Sequence, residues 1–459
     1  MTAAGLLQGQ SACAKYLENT VKNLLESLVH LCKVSQDILL AEVPPTFTEK
    51  DNEHLLKPPS KCEVFQTLIS SNLHAALGTD GLTSYFYKEC FHIIGDAFTE
   101  VVKNVFSGLQ PILSQRTRKM LFGAKPNKAN SLKPQDKRRI SLLNCDFKTI
   151  SGIESRRLKR VATHTLSEYQ FVEGNDRKIH HGINMARNAI YSVSKNPGNK
   201  GCAIADTDYE AAFEFLVMSW VILVLKQKGL EEKVIQRYKN LYEKNLVIVV
   251  VNGIDGKCVN NSRLSLRQGD IPSMYFFAYG IDPLISYLEK RLKGILVTSL
   301  PVHGPLEYGS VTPNLPVLEE RYKVVSYTDD IKPGITSMDE LILVDESSSH
   351  FDKASGCRLH RSIDSKKSKI LPFGKWRRQL TREFLPESCK YFAVSEHLDM
   401  LGVKLAATWT QTRKANGDLL KEKISKTVNH WKSGKFMPLS MRPWPINCYL
   451  LSKVWCAGL

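Results

Sequence analysis

The sequence lacks the paired spacings from which zinc modules are built. Its 11 cysteines stand singly, without one Cys-x-x-Cys, and its 12 histidines include no His-x-x-x-His. No zinc ribbon, finger or knuckle is therefore expected. A long apolar run is missing too. The longest, FLVMSWVILVL at Phe215 to Leu225, falls well short of the roughly 20 residues that a membrane helix needs. The start, MTAAGLLQGQ, lacks the charged-then-apolar pattern of a secretory signal. Unpaired cysteines without such a signal read as reduced thiols. The expectation is an intracellular protein of nucleus and/or cytoplasm, neither secreted nor membrane-spanning.

Negative charge is also scarce. Lys and Arg number 63 against 46 acidic residues, a net charge of +17, which favours a polyanionic partner, most commonly nucleic acid. With 459 residues, 43% of them hydrophobic, the chain can bury one large core or two to three subdomains.

The texture changes along the chain. Up to about residue 110 the apolar spacing is helical, as in YLENTVKNLLESLVHLCKV and PSKCEVFQTLISSNLHAAL, separated by the proline break EVPPTF. From Ser114 to Lys200 the chain is dense in Lys and Arg, punctuated by Pro and Asn, which suits strands and loops presenting cations. GCAIADTDYEAAFEFLVMSWVILVLKQKGL reads as strand, turn and helix; NLVIVVVNGIDGKCV reads as a hairpin around Asn-Gly. A polar loop, SRLSLRQGD, then precedes a helix closed by Gly294. Ser337 and Glu340 form a capping-box signature for the next helix. The C-terminal KEKISKTVNHWKSGKF and MRPWPINCYLLSKVWCAGL read as basic helices without a terminal cap or closing polar tail, and the expectation is a fragment of a longer chain. Helices with hairpins predict an α+β fold, its sheet mostly antiparallel and backed by helices.

One stretch stands apart: VVSYTDDIKPG, Val324 to Gly334, holds the only adjacent pair of aspartates. Neighbouring side chains on a strand face opposite ways, so Asp329 and Asp330 can share one site only at a turn. The second strand carries Pro333, which suggests a sheet edge. A third carboxylate is available at the end of CAIADTDY, where Asp206 and Asp208 are both candidates. Three converging carboxylates need a counter-ion, for which Mg²⁺, singly or in a pair, is the natural choice. An isolated Asp-Asp turn is more often a solvated surface feature; its company along the chain changes that reading.

From about Leu77 onward the sequence resembles the reverse transcriptases of non-LTR (LINE-type) retrotransposons. The motifs that carry the resemblance are Gly78-Thr79-Asp80-Gly81, Lys125-Pro126-Asn127-Lys128, Arg138-Arg139-Ile140-Ser141-Leu142-Leu143-Asn144, Asp208-Tyr209-Glu210-Ala211-Ala212-Phe213-Glu214, Arg267-Gln268-Gly269-Asp270-Ile271-Pro272-Ser273 and Tyr327-Thr328-Asp329-Asp330. Ser355-Gly356, Lys367-Ser368-Lys369 and Leu401-Gly402-Val403 follow. Each is weak alone; their order is specific. The resemblance implies a right-hand polymerase with fingers, palm and thumb, which uses an RNA template, a DNA primer and dNTPs. It implies a helical extension with the start of the fingers over 1–113, fingers over 114–200, palm over 201–385, and palm end with partial thumb over 386–459.

It selects Asp208 over Asp206 as metal ligand, beside Asp329 and Asp330, for two Mg²⁺ ions, with Mn²⁺ as a substitute. Lys125 and Arg138 would face the triphosphate, and Phe213 would exclude a 2′-hydroxyl, although by pattern alone Phe213 is a core aromatic. Gln268 and Gly269 would lie against the template–dNTP pair. Lys367 would approach the leaving pyrophosphate, with Lys366 and Lys369 as competitors. Departures are Glu214 for Asp, expected to support a helix start, Arg139 and Ile271-Pro272 for Pro and Pro-Leu, and Thr328 for Ala. Neither an endonuclease nor a zinc-knuckle pattern is found. The alternatives are a nucleic-acid-binding remnant without turnover, an intron maturase, and an RNA-directed RNA polymerase, which Phe213 disfavours. The sequence leaves the oligomeric state open.

Overall fold

The computed structural model describes residues 10–26, 29–73, 75–125, 133–172, 178–195, 201–261, 263–298 and 319–432. The strands, in chain order, are β1 (Thr117–Ala124), β2 (Lys137–Leu142), β3 (Cys202–Asp206), β4 (Leu246–Val251), β5 (Ile254–Asn260), β6 (Ile295–Thr298), β7 (Glu319–Tyr322), β8 (Val324–Tyr327), β9 (Asp330–Ile335), β10 (Lys369–Phe373), β11 (Ala393–Val394), β12 (His397–Met400) and β13 (Val403–Ala406). Helices and sheets together make a mixed, α+β fold. The chain divides into two compact units: Met1–Asp176 with Tyr209–Tyr287 and Ser348–Leu359, and Arg177–Asp208 with Leu288–Ser347 and His360–Leu459.

The first unit is helical at its start, as the apolar spacing predicts, with helices at Gln10–Leu25, Lys33–Leu40, Glu49–Leu56, Lys61–Ile69 and Ser84–Phe106. The single long helix read through YLENTVKNLLESLVHLCKV is two. The first stops where the Arg263 N–H takes the Leu25 carbonyl at 2.8 Å. Thr48 and Asp51 form a capping box on the third helix. The unit's sheet has the order β2-β1-β4-β5 and is mixed, because β1 runs parallel to β4. The β4–β5 hairpin turns at Asn252 and Gly253, both at positive φ, as the Asn-Gly pair predicts. The Gln10–Leu25 helix covers this sheet, burying Val21 and Leu25 against Met120, Val247 and Val249.

Charge is buried in this unit as well. Arg237 and Glu154 are both fully buried and form a double contact, in which Nη2 donates to Oε2 at 3.2 Å; Arg237 also stacks 4.4 Å from the Phe106 ring. Lys228 Nζ lies 2.7 Å from Asp282, both buried, and 2.7 Å from the Thr165 carbonyl.

The second unit is built on a five-stranded sheet, β11-β10-β3-β9-β8, antiparallel except at β10–β11. The helix Ile179–Lys195 packs on it along β8 and β10. Pro333 does not mark an edge: β9 lies between β3 and β8. The ladder tolerates this proline by losing bonds locally. On the β3 side the paired residues are Ile204 with Gly334 and then Thr207 with Ile331, and Pro333 is paired only on the other side, with Val324 of β8. Ser337 caps the following helix as predicted, accepting from Glu340 N–H at 3.3 Å, but the Glu340 carboxylate turns back to Thr336, whose N–H and hydroxyl donate at 2.6 and 2.7 Å. The last described helix, Trp409–Lys432, contains the KEKISK segment; MRPWPINCYLLSKVWCAGL lies outside the described residues. No helix among the described residues is long and apolar enough to cross a membrane.

Arg237→Met would strand the Glu154 carboxylate without its partner. We expect a loss of about 3–5 kcal/mol, read as a lowered melting temperature. The double variant Glu154→Leu/Arg237→Met should recover most of it, since no buried charge is then left unpaired.

Candidate active site

The aspartate pair sits where a strand reverses. In the β8–β9 hairpin Tyr327 pairs with Asp330, so Thr328 and Asp329 make the turn and Asp330 opens β9. Thr328 takes a positive φ of 54°, an uncommon conformation for a β-branched residue. Its hydroxyl lies 2.7 Å from the Tyr327 carbonyl and 3.0 Å from Asp329 Oδ1, and these contacts hold the strained turn. The Asp329 carboxyl is raised above the usual carboxylate range by burial, with Asp330 and Asp208 adding to the effect and the Thr328 hydroxyl opposing it.

The neighbouring strand brings the other carboxylates. Counting from Ile204–Gly334 to Thr207–Ile331 sets Asp206 of β3 opposite Lys332 of β9. Asp330, two residues from Lys332, shares its face. The Lys332 ammonium is 2% exposed, lies 2.6 Å from Asp206 Oδ1 and contacts Asp330 Oδ1 as well. Burial works against the ammonium, but the Asp330 and Asp206 carboxylates outweigh it and raise its pKa. Burial pushes Asp206 up to about 6, with Lys332 opposing and Asp330 reinforcing the shift.

Asp208 has different company. Its N–H points to the Ser368 hydroxyl at 3.4 Å, and its carbonyl accepts from the His360 N–H at 2.9 Å. Its Oδ2 is buried and accepts no hydrogen bond, with His360 Nε2 at 3.4 Å and Lys367 Nζ at 3.6 Å. Lys367 donates to His360 Nε2 at 2.5 Å. Of the three competing lysines, Lys367 is thus the one beside Asp208. Lys366 is exposed, and Lys369 lies 3.9 Å from Asp399.

No three His, Cys, Asp or Glu side chains among the described residues are set to hold one metal ion together. The donor chemistry nevertheless suits a hard cation. Asp208 Oδ2 is buried without a hydrogen bond, and Asp329 is a half-buried carboxyl close enough to two others for them to raise its pKa. Asp330 differs, because Lys332 already engages it.

The remaining predicted residues belong to the first unit, where sequence-distant motifs meet. Asn144 Oδ1 accepts from the Thr79 N–H at 2.7 Å and the Asp80 N–H at 3.3 Å, which joins the Gly-x-Asp-Gly turn to the end of Arg-Arg-Ile-Ser-Leu-Leu-Asn. A Cβ on Gly78 would strike the Asn144 side chain, so the motif needs glycine there. The Gln268 carbonyl accepts from the Ser141 N–H at 2.9 Å. Gly269, at φ +107°, approaches so closely that a Cβ would sit 2.9 Å from the Ser141 carbonyl. Arg138 on β2 is exposed, opposite Gly123, and Lys125 follows the end of β1; residues 126–128 lie outside the described residues. Phe213 is half-buried with its ring 5.1 Å from that of Phe277. Glu214 does more than start a helix: buried within the Ala212–Phe215 segment, it lies 3.7 Å from Arg139.

Sequence reading missed Lys332, His360 and the pairing of Asp206. For Lys332 a signal existed, since it stands two residues after Asp330 on a strand and so on the same face. For His360 none did, because its place depends on the fold.

The raised Asp206 carboxyl gives a pH test. In the folded chain it keeps its proton up to about pH 6, whereas in the unfolded chain it ionises near 4. Its contribution is fully present below pH 4 and is lost as pH rises to about 6, by up to about 3 kcal/mol. In EDTA, the melting difference between wild type and Asp206→Asn should therefore shift against wild type between pH 4 and pH 6.5. A pH-independent difference would count against this environment for Asp206.

No family model matches the chain. It is similar over 413 residues, at 23% identity, to the Xenopus laevis protein called Transposon TX1 uncharacterized 149 kDa protein. The match spans 90% of this chain but only 29% of that relative. By geometry and likeness together, this is a carboxylate-bearing hairpin in a chain akin to a transposon protein.

Proposed function

We propose that the chain derives from a non-LTR retrotransposon and is its RNA-directed DNA polymerase, extending a primer 3′-hydroxyl with dNTPs on an RNA template. The observation that carries the reading is the β8–β9 hairpin, which sets Asp329 at a turn beside the Asp208 end of β3. The likeness to a transposon protein supports it, as does the meeting of distant motifs within the first unit.

In this reading Asp208 and Asp329 would hold Mg²⁺, or Mn²⁺ in its place, with Asp330 as the third carboxylate. When bound, such an ion offsets charge on the reacting phosphate and eases loss of the primer hydroxyl proton. Lys367, steadied by His360, supplies a cation for the departing pyrophosphate. Lys125 and Arg138 serve the triphosphate. Gln268 and Gly269 present a loop that is fixed on Ser141 and free of side-chain bulk. The half-buried Phe213 ring, braced by Phe277, rejects a 2′-hydroxyl by bulk.

A second reading, a nucleic-acid-binding remnant without turnover, is favoured by two observations: Lys332 occupies Asp330, and among the described residues no three ligands are gathered for a metal. Primer extension on an RNA template with Mg²⁺ separates the two. In the first reading wild type extends, and Asp329→Ala loses at least about 10²–10³-fold. Duplex binding without extension by either protein leaves the remnant. Phe213→Val should raise rNTP use relative to dNTP by on the order of 10-fold; unchanged selectivity would remove Phe213 from the nucleotide site.

A further inference from the structure

Lys332 has no part in the motif that surrounds it, yet it is the most enclosed cation of the second unit's carboxylate cluster. Its side chain is 2% exposed and its ammonium touches Asp206 and Asp330 at once. The contact is built into the sheet: Asp206 stands opposite Lys332 by register, and Asp330 precedes it on the same face. The Tyr322 hydroxyl donates to the Lys332 carbonyl at 2.8 Å, which fixes the backbone from behind. The other two carboxylates, Asp208 and Asp329, are not engaged by it. An ammonium bound to Asp330 repels a divalent ion seated on the same carboxylate, and releasing it would strand a buried charge at a cost of several kcal/mol. Charge balance points the same way. The four aspartates have two lysines among them, Lys332 beside Asp206 and Asp330 and Lys367 beside Asp208, which leaves two negative charges, as many as one divalent cation neutralises.

We propose that Lys332 is a positioning residue that holds Asp330 as an internal counter-ion, so that the free protein loads a single divalent cation, on Asp208 and Asp329. The inference rests on reading these carboxylates as a cation site, and it is independent of whether the chain polymerises. Lys332 would then set the number of ions present before a substrate brings its own charge.

Mn²⁺ titration of the whole chain without nucleic acid, with free Mn²⁺ read by electron paramagnetic resonance, tests it. Wild type should bind one ion, and Asp329→Asn none. Lys332→Met should bind a second ion, or the first at least 10-fold more tightly, whereas Lys332→Arg should behave as wild type. Because Lys332→Met leaves two half-buried carboxylates unpaired, Asp206→Asn/Lys332→Met is measured beside it; it frees Asp330 alone and should still bind more tightly than wild type. If either Met variant melts low in EDTA, Mn²⁺ should restore it more than it raises wild type. Equal count and affinity in wild type and both Met variants would overturn the proposal, as would a wild type that binds no ion or two. Primer extension separates this from the polymerase reading. A wild type that binds one ion at Asp329 yet extends nothing loses the activity and keeps the inference. One that extends while Lys332→Met binds as wild type does keeps the activity and loses the inference.

Discussion

A carboxylate taken out of water must find a proton, hydrogen bonds or a cation. That requirement organises the second unit. Its sheet carries four aspartates at the ends of β3 and β9 and the turn before β9, too many to be left ionised without compensation. The fold supplies compensation unevenly. Asp206 and Asp330 share the Lys332 ammonium, Asp329 has a hydroxyl and a rise in pKa, and Asp208 keeps a buried oxygen with two basic side chains at 3.4 and 3.6 Å. The cluster is thus divided into a pair that shares one buried ammonium and a pair that it leaves untouched, with the Asp208 oxygen buried and accepting no hydrogen bond.

The first unit solves a similar problem with a different outcome. It holds buried ions in pairs, Arg237 with Glu154 and Lys228 with Asp282, which tie helices together. Its motif residues are fixed by the backbone instead. Asn144 caps the Gly-x-Asp-Gly turn, and the Gln268–Gly269 loop leans on Ser141. Polar groups that are already satisfied rigidify a structure, and that fixes the backbone beneath exposed neighbours such as Arg138.

Much of this was legible because it is local. Asn252-Gly253 dictates a hairpin, and helical spacing dictates the N-terminal helices. An aspartate pair after an apolar strand dictates a turn. Pro333 misled because its meaning depends on strand order: a proline at an inner strand costs ladder bonds, but the neighbouring pairs Ile204–Gly334 and Thr207–Ile331 keep the register. The choice among Lys366, Lys367 and Lys369 was equally out of reach. Their separation comes from the positive φ of Lys366 and from where His360 and Asp399 lie in space. Asp206 was set aside because motif order ranks residues by likeness, whereas its ion pair depends on cross-strand register.

The departures from the resembled pattern are informative when taken in pairs. Arg139 stands where the pattern has proline, and Glu214 where it has aspartate. The two lie 3.7 Å apart, each with a side chain 9% exposed. Burial raises the Glu214 carboxyl, with Arg139 opposing that rise. Arginine at this place also gives β2 an N–H that proline could not, within a ladder where Arg139 pairs with Phe122. A carboxylate is common to glutamate and aspartate, so the charge new to this place is the Arg139 guanidinium, and Glu214 supplies its partner; removing that partner would leave a buried cation unpaired, at several kcal/mol. Lys332 likewise lies against the Asp206 and Asp330 carboxylates. In both places a cation in the interior stands where a carboxylate can receive it, so the fold carries the charge without leaving it unpaired.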